Sequence, residues 1–215
     1  MLKNRFVAQP TLGDLPLPQR VRGVALVLHG GKENSHAAAL PSSLAALRMR
    51  PFARALHRRG ASHGLAVSAL RYRYRGWNGA EESPLADARW ALDAIRDRHG
   101  DVPVVLVGHS MGGRVAVRAA DDPSVVGVVA LAPWLTSEDP VTPLAGKRAV
   151  IAHGNLDFVT NPRLSRRFAR QASEAGADMT YKVIHGDSHA MVLRPLAWSR
   201  LTTRATLDFL GFVIQ

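Results

Sequence analysis

Short, continuous apolar runs rich in Val, Ala and Leu recur along the chain, and each stops at glycine, proline or a polar cluster. The runs are 21–28, 65–70, 104–107, 125–131, 148–152 and 179–184. They are short for helices and lack the alternation of half-exposed strands, so they predict strands buried on both faces. Between them, apolar positions return at helical spacing. Phe52, Ala55 and Leu56 share one side of a helix that Pro51 is placed to open and Gly60 to close. Leu85, Ala88, Leu92 and Ile95 follow Ser83-Pro84, an N-cap and first-turn pair. Further helices are expected after Gly112-Gly113, from Pro162 to about Gly176, and from about Pro195. About six strands alternating with helices predict an α/β fold, a mostly parallel sheet with helices on both faces. Residues 1–20 carry Pro10, Pro16 and Pro18 and no periodicity, and are expected to be an irregular lead-in to a single domain over 21–215.

In such sheets, ligands bind beyond the carboxyl ends of the strands. The residues just after the apolar runs therefore carry the candidate chemistry. The run at 104–107 leads straight into Gly108-His109-Ser110-Met111-Gly112, with a helix expected behind it. In a Gly-x-Ser-x-Gly strand–turn–helix, the glycines allow close approach of strand and helix, and the serine is pushed into the open. The helix N-terminus offers unpaired N–H groups to an oxyanion. A serine hydroxyl needs a base, and a histidine has the suitable pKa; a carboxylate must then hold the imidazole in one tautomer.

Of the nine histidines, His189 stands in the loop after the last run, where it can swing over the sheet. His109 should point away from Ser110, His185 should pack or stay at the surface, and His29 and His153 should fix loop backbone. For the acid, Asp157 follows the run at 148–152 in His-Gly-x-x-Asp. Asp187, two residues before His189, is the rival, but that position suits shaping the loop. Glu138 and Asp139 are weaker alternatives.

The loop after the second run alternates Arg71, Arg73 and Arg75 with Tyr72 and Tyr74. Continued strand geometry would put the arginines on one face. Arg73 and Arg75, with Trp77 as an apolar wall, are candidates for binding an anionic group on a substrate. Structural ion pairs or plain solvation is the competing reading. The long connection over 32–50 is the candidate for a small cover.

Charge changes little in this picture. The formal net charge is +11, and among 28 basic residues only Lys3, Lys32, Lys147 and Lys182 are lysine. The arginines are scattered and no nucleic-acid motif accompanies them, so specific nucleic-acid binding is not expected. No cysteine is present, which excludes disulfides and thiolate chemistry. No P-loop, dinucleotide fingerprint or metal spacing is found, so neither cofactor nor metal is expected. No apolar run is long enough to span a bilayer, and the N-terminal stretch lacks a signal-peptide core. A cytoplasmic location is the expectation.

Taken together, Gly108-His109-Ser110-Met111-Gly112, His29-Gly30-Gly31 and the order Ser110, Asp157, His189 resemble the α/β-hydrolases over roughly 20–212. The resemblance implies backbone N–H groups of Gly31 and Met111 as the oxyanion hole. It implies a serine hydrolase of the esterase or lysophospholipase kind, cleaving an ester or related acyl bond in a small molecule through an acyl-enzyme. Acyl transfer or thioester cleavage by the same triad, or a non-catalytic scaffold on this fold, are the alternatives. Two departures stand out: the opening antiparallel strands look missing or shortened, and the segment between Leu131 and Arg148 is too short for a lid domain.

Overall fold

The computed structural model describes residues 8–212. Among these residues, seven strands form one sheet: β1 (Thr11–Asp14), β2 (Gly23–Leu28), β3 (Leu65–Arg71), β4 (Val104–His109), β5 (Val125–Leu131), β6 (Arg148–Gly154) and β7 (Asp178–Ile184). Their order is β1-β3-β2-β4-β5-β6-β7, and every pairing is parallel except the antiparallel β1–β3 edge. Among the described residues, four α-helices connect them, α1 (Leu44–Gly60), α2 (Ser83–His99), α3 (Met111–Arg118) and α4 (Pro162–Glu174), and a fifth, α5 (Pro195–Phe209), follows β7.

Strand alternation divides the core into two layers. Val24, Leu26 and Leu28 of β2 and Leu106 of β4 face α2, α3 and α4, against Leu85, Leu92, Val115 and Phe168. Ala25, Val27, Val105 and Val107 face the other way, against Met49, Phe52 and Leu56 of α1 and Trp198 and Leu207 of α5. Because both faces are covered, β2 and β4 are buried at every position, which is why they read as unbroken apolar runs. No helix among the described residues is long and apolar enough to cross a membrane.

Three expectations need correcting. The lead-in contains β1, whose Thr11–Asp14 pair with Ser68–Arg71; mostly exposed edge residues leave no hydrophobic pattern to read. The part of that lead-in at 1–7, and the end of the domain at 213–215, lie outside the described residues. The helix placed from Pro51 begins two turns earlier, where the Ser43 hydroxyl accepts the Ala46 N–H at 3.3 Å. Pro51 sits inside α1 on its exposed side, where the helix goes without one N–H. The stretch over 32–50, expected as a long connection, ends in the first turns of α1, and bonds such as Arg75 N–H to Ala37 C=O (2.9 Å) and Gly76 N–H to Ser35 C=O (2.9 Å) strap its earlier part to the segment after β3.

Candidate active site

Ser110 joins β4 to α3 with φ 55° and ψ −118°, a conformation that costs an L-residue energy and persists only where the surroundings impose it. Here they do. The Ser110 N–H donates to the Leu131 carbonyl at 3.0 Å, and its own carbonyl accepts the Gly113 and Trp134 N–H groups, each at 3.0 Å. A Cβ on Gly108 would collide with the Gly112 carbonyl, and one on Gly112 with the carbonyls of Leu28 and His29. Only glycine lets α3 pack this closely onto β2 and β4.

The loop after β7 brings His189 Nε2 to 3.1 Å from Ser110 Oγ, and its Nδ1 to 3.0 Å from Asp157 Oδ2. A carboxylate can only accept, so Nδ1 carries the proton and Nε2 is left to accept from the serine hydroxyl. The Asp157 carboxylate is fully buried and well partnered. The Val159 and Thr160 N–H groups donate to Oδ1, each at 2.9 Å, and the Thr160 hydroxyl donates to Oδ2 at 2.8 Å. Burial alone would raise this carboxyl; the imidazoles of His153 and His189 and the Thr160 N–H outweigh it and hold it far below the usual range. His153 Nδ1 stands 3.5 Å from Asp157 Oδ2, while its Nε2 meets Ser165 Oγ at 2.7 Å.

Gly30 and Gly31 lie beside the serine. A Cβ on Gly30 would sit 3.3 Å from Ser110 Cβ, and one on Gly31 would strike the Met111 side chain and the Arg75 carbonyl. Among the described residues, neither the Gly31 nor the Met111 N–H has a protein acceptor. The His29 ring bonds the Gly30 carbonyl at 2.6 Å and packs edge-on against buried Tyr72, which fixes this loop.

His109 is buried, as expected of a side chain aimed away from the serine, but it has a partner that sequence reasoning missed. Its Nε2–H donates to the His189 backbone carbonyl at 3.0 Å, with ring centroids 4.7 Å apart. Burial, then the neighbouring His189, lower its pKa to about 3, so it stays neutral. Only its position next to Ser110 hinted at a role. Asp187 serves the same loop. Its buried carboxylate accepts the N–H groups of Ser188 (2.7 Å), Leu193 (3.3 Å) and Arg194 (2.8 Å), and the Trp198 indole N–H at 2.9 Å. Asp139 is likewise occupied, by Arg114 at 2.8 Å and the Thr136 N–H at 2.8 Å, and Glu138 is exposed.

The expected substrate-binding trio comes apart. Arg73 is bound to the buried Asp87 of α2, its Nε at 2.5 Å and its backbone N–H at 2.8 Å. Trp77 is only 4% exposed; it meets Trp134 edge-on and lies under the Arg114 guanidinium at 4.1 Å. The chain leaves strand geometry after Arg71, so alternation no longer governs where these side chains go. Arg75 is exposed, and its backbone carbonyl holds the Lys32 N–H at 2.8 Å. No group of three or more His, Asp or Glu among the described residues is arranged to hold a metal ion.

The sequence pattern of the family described as Serine aminopeptidase, S33, matches residues 19–150. The chain belongs to this hydrolase family. The matched span holds Gly31 and Ser110 and ends before Asp157 and His189. No curated protein matches the chain. Solved α/β-hydrolases superpose over most of its length. One from Agrobacterium tumefaciens, described as a putative α/β-hydrolase, aligns at a TM-score of 0.72 and 17% identity, covering 93% of this chain and 91% of its own. Est1E from Butyrivibrio proteoclasticus, solved with ferulic acid bound, gives 0.69 and 12%, covering 94% and 96%. A monoacylglycerol lipase from Paleococcus ferrophilus gives 0.65 and 18%, covering 94% and 98%. At these identities the likeness establishes the α/β-hydrolase fold.

Proposed function

We propose that this family member is a serine hydrolase that cleaves an ester or related acyl bond through an acyl-enzyme on Ser110. The observation that carries the reading is the unbroken chain from Ser110 Oγ through both nitrogens of His189 to the buried Asp157. Ser110 Oγ attacks the carbonyl carbon while His189 Nε2 takes its proton. The oxyanion forms against the N–H groups of Gly31 and Met111. The tetrahedral species collapses, the C–O bond to the alcohol breaks, and His189 returns the proton to the leaving oxygen. Water, deprotonated by the same imidazole, then releases the acid and restores Ser110. Asp157 stays ionised throughout and stabilises the imidazolium.

An apolar acyl group fits the surroundings. Phe158 and Val159 follow the acid and Val192 and Leu193 follow the base, all largely exposed. The ferulic acid bound to Est1E and the monoacylglycerol lipase among the structural neighbours accord with ester chemistry. The family description favours one second reading, amide cleavage at a peptide N-terminus by the same residues. A fluorophosphonate probe should label the wild type and not Ser110→Ala. p-Nitrophenyl esters run beside aminoacyl p-nitroanilides then separate the two reactions. Labelling retained in Ser110→Ala, or none in the wild type, overturns the serine mechanism.

A further inference from the structure

Helices α1 and α5 both return from strand ends along the same face of the sheet, where Met49, Phe52, Trp198 and Leu207 form one layer. A helix that follows a parallel strand starts at the sheet's carboxyl edge, so both N-termini lie at the edge that holds Ser110 and His189. On α1, Leu44, Leu47, Arg54 and Arg58 follow one another at helical spacing along one exposed stripe; on α5, Leu196, Arg200 and Arg204 do so at every fourth residue. Each helix thus presents leucine at the site end and arginine along its length.

Between them runs a groove of about 910 Å³, lined by Arg58, Arg59, Leu196, Arg200 and Arg204 among others. Among the described residues, none of these four guanidiniums has a hydrogen bond or a carboxylate within ion-pair distance. α1 contains no acidic residue, and the one on α5, Asp208, is paired with Arg148 at 2.6 Å. Leu44 is 80% and Leu196 68% exposed.

We infer that the outer face of α1 and α5 docks on an anionic lipid surface. The arginines require anions and the leucines an apolar phase, and the interface of an anionic bilayer supplies phosphates with acyl chains just beneath them. A nucleic acid would satisfy only the arginines. The opposite side of the molecule provides an internal comparison: α4 carries Arg163, Arg166, Arg167 and Arg170, but no leucine as exposed as these. Docking in this way sets the mouth of the site beside the bilayer. It does not depend on the serine chemistry, because it is measured as binding.

Full-length protein should float with mixed phosphatidylcholine–phosphatidylglycerol vesicles, much less with phosphatidylcholine alone, and Ser110→Ala should bind as the wild type does. Removing Arg200 and Arg204 together (Arg200→Ala/Arg204→Ala) should weaken partitioning on the order of 20-fold, from about fivefold per guanidinium near an anionic surface. Leu44→Ser/Leu196→Ser should also weaken it, and Arg163→Ala/Arg167→Ala on α4 should not. Thermal unfolding of each variant checks that the fold is intact. Three results overturn the inference: no preference for anionic vesicles, equal losses from the α4 and α5 pairs, or arginine-dependent binding to duplex DNA at physiological salt without vesicle binding.

Discussion

Asp157 and Asp187 lie thirty residues apart in sequence and both precede His189, yet their partners give them different work. Asp157 meets the His189 ring, whereas Asp187 meets only backbone N–H groups and the Trp198 indole. Asp157→Asn offers the ring an amide that can no longer fix the tautomer, and kcat of the folded variant should fall on the order of 10³–10⁴-fold. Asp187→Asn leaves donors facing an amide NH₂, and the cost should be about 2–4 kcal/mol in urea unfolding, with a far smaller change in kcat. The reverse ranking in an ester assay would move the acid role to Asp187. On the proposed mechanism, His109 positions the base. His109→Phe removes its hydrogen bond to the His189 carbonyl, and a base displaced by a fraction of an ångström should lower kcat by about 10–100-fold with KM nearly unchanged. A fall in kcat with unchanged fluorophosphonate labelling would show that this bond does not steer the base.

At the level of elements, the elbow depends on how closely α3 approaches β2. Gly112→Ala drives a methyl group into the backbone of Leu28 and His29, where nothing can rotate aside. About 1–3 kcal/mol of stability should be lost, along with activity, because Ser110 turns with the backbone. Arg73 ties the end of β3 to α2 through Asp87, whose carboxylate is fully buried while the arginine is 31% exposed. Burial pushes the Asp87 carboxyl up, and the Arg73 N–H and guanidinium recover only part of that cost. Arg73→Ala should therefore cost about 2–4 kcal/mol in denaturant unfolding, and it should affect neutral and anionic esters equally. A loss confined to the anionic ester would restore Arg73 to the substrate.

For the whole molecule, acid is the expected weakness. Burial would raise the carboxyls of both Asp157 and Asp187, but their hydrogen-bond donors outweigh it and hold both below the ordinary value. Each therefore contributes stability that is present above the unfolded-state pKa of about 4 and is lost as pH falls through the folded one. Protonation of the remaining carboxylates adds self-repulsion to a chain already at +11. The urea midpoint should begin to drop at about pH 4 and keep falling as the pH is lowered through the folded-state values, and the drop should be shallower in Asp187→Asn. Equal slopes would remove Asp187 from the acid transition. The same scale separates what the sequence determined from what it left open. Unbroken Val- and Leu-rich runs, glycines two positions either side of Ser110, and residues placed just after strands were enough for the layered fold and for singling out Ser110, Asp157 and His189, which the fold brings within hydrogen-bond distance. Strand burial, the elbow and the carboxyl-edge rule all act over a few neighbouring residues. Tertiary structure decided the remainder, because each case turns on a partner distant in the chain. Arg73 pairs with Asp87 on the next helix, β1 finds β3 without any apolar pattern of its own, and His109 reaches the His189 carbonyl across 80 residues. No local periodicity records which buried polar group will meet which, since that depends on how the layers close around the sheet.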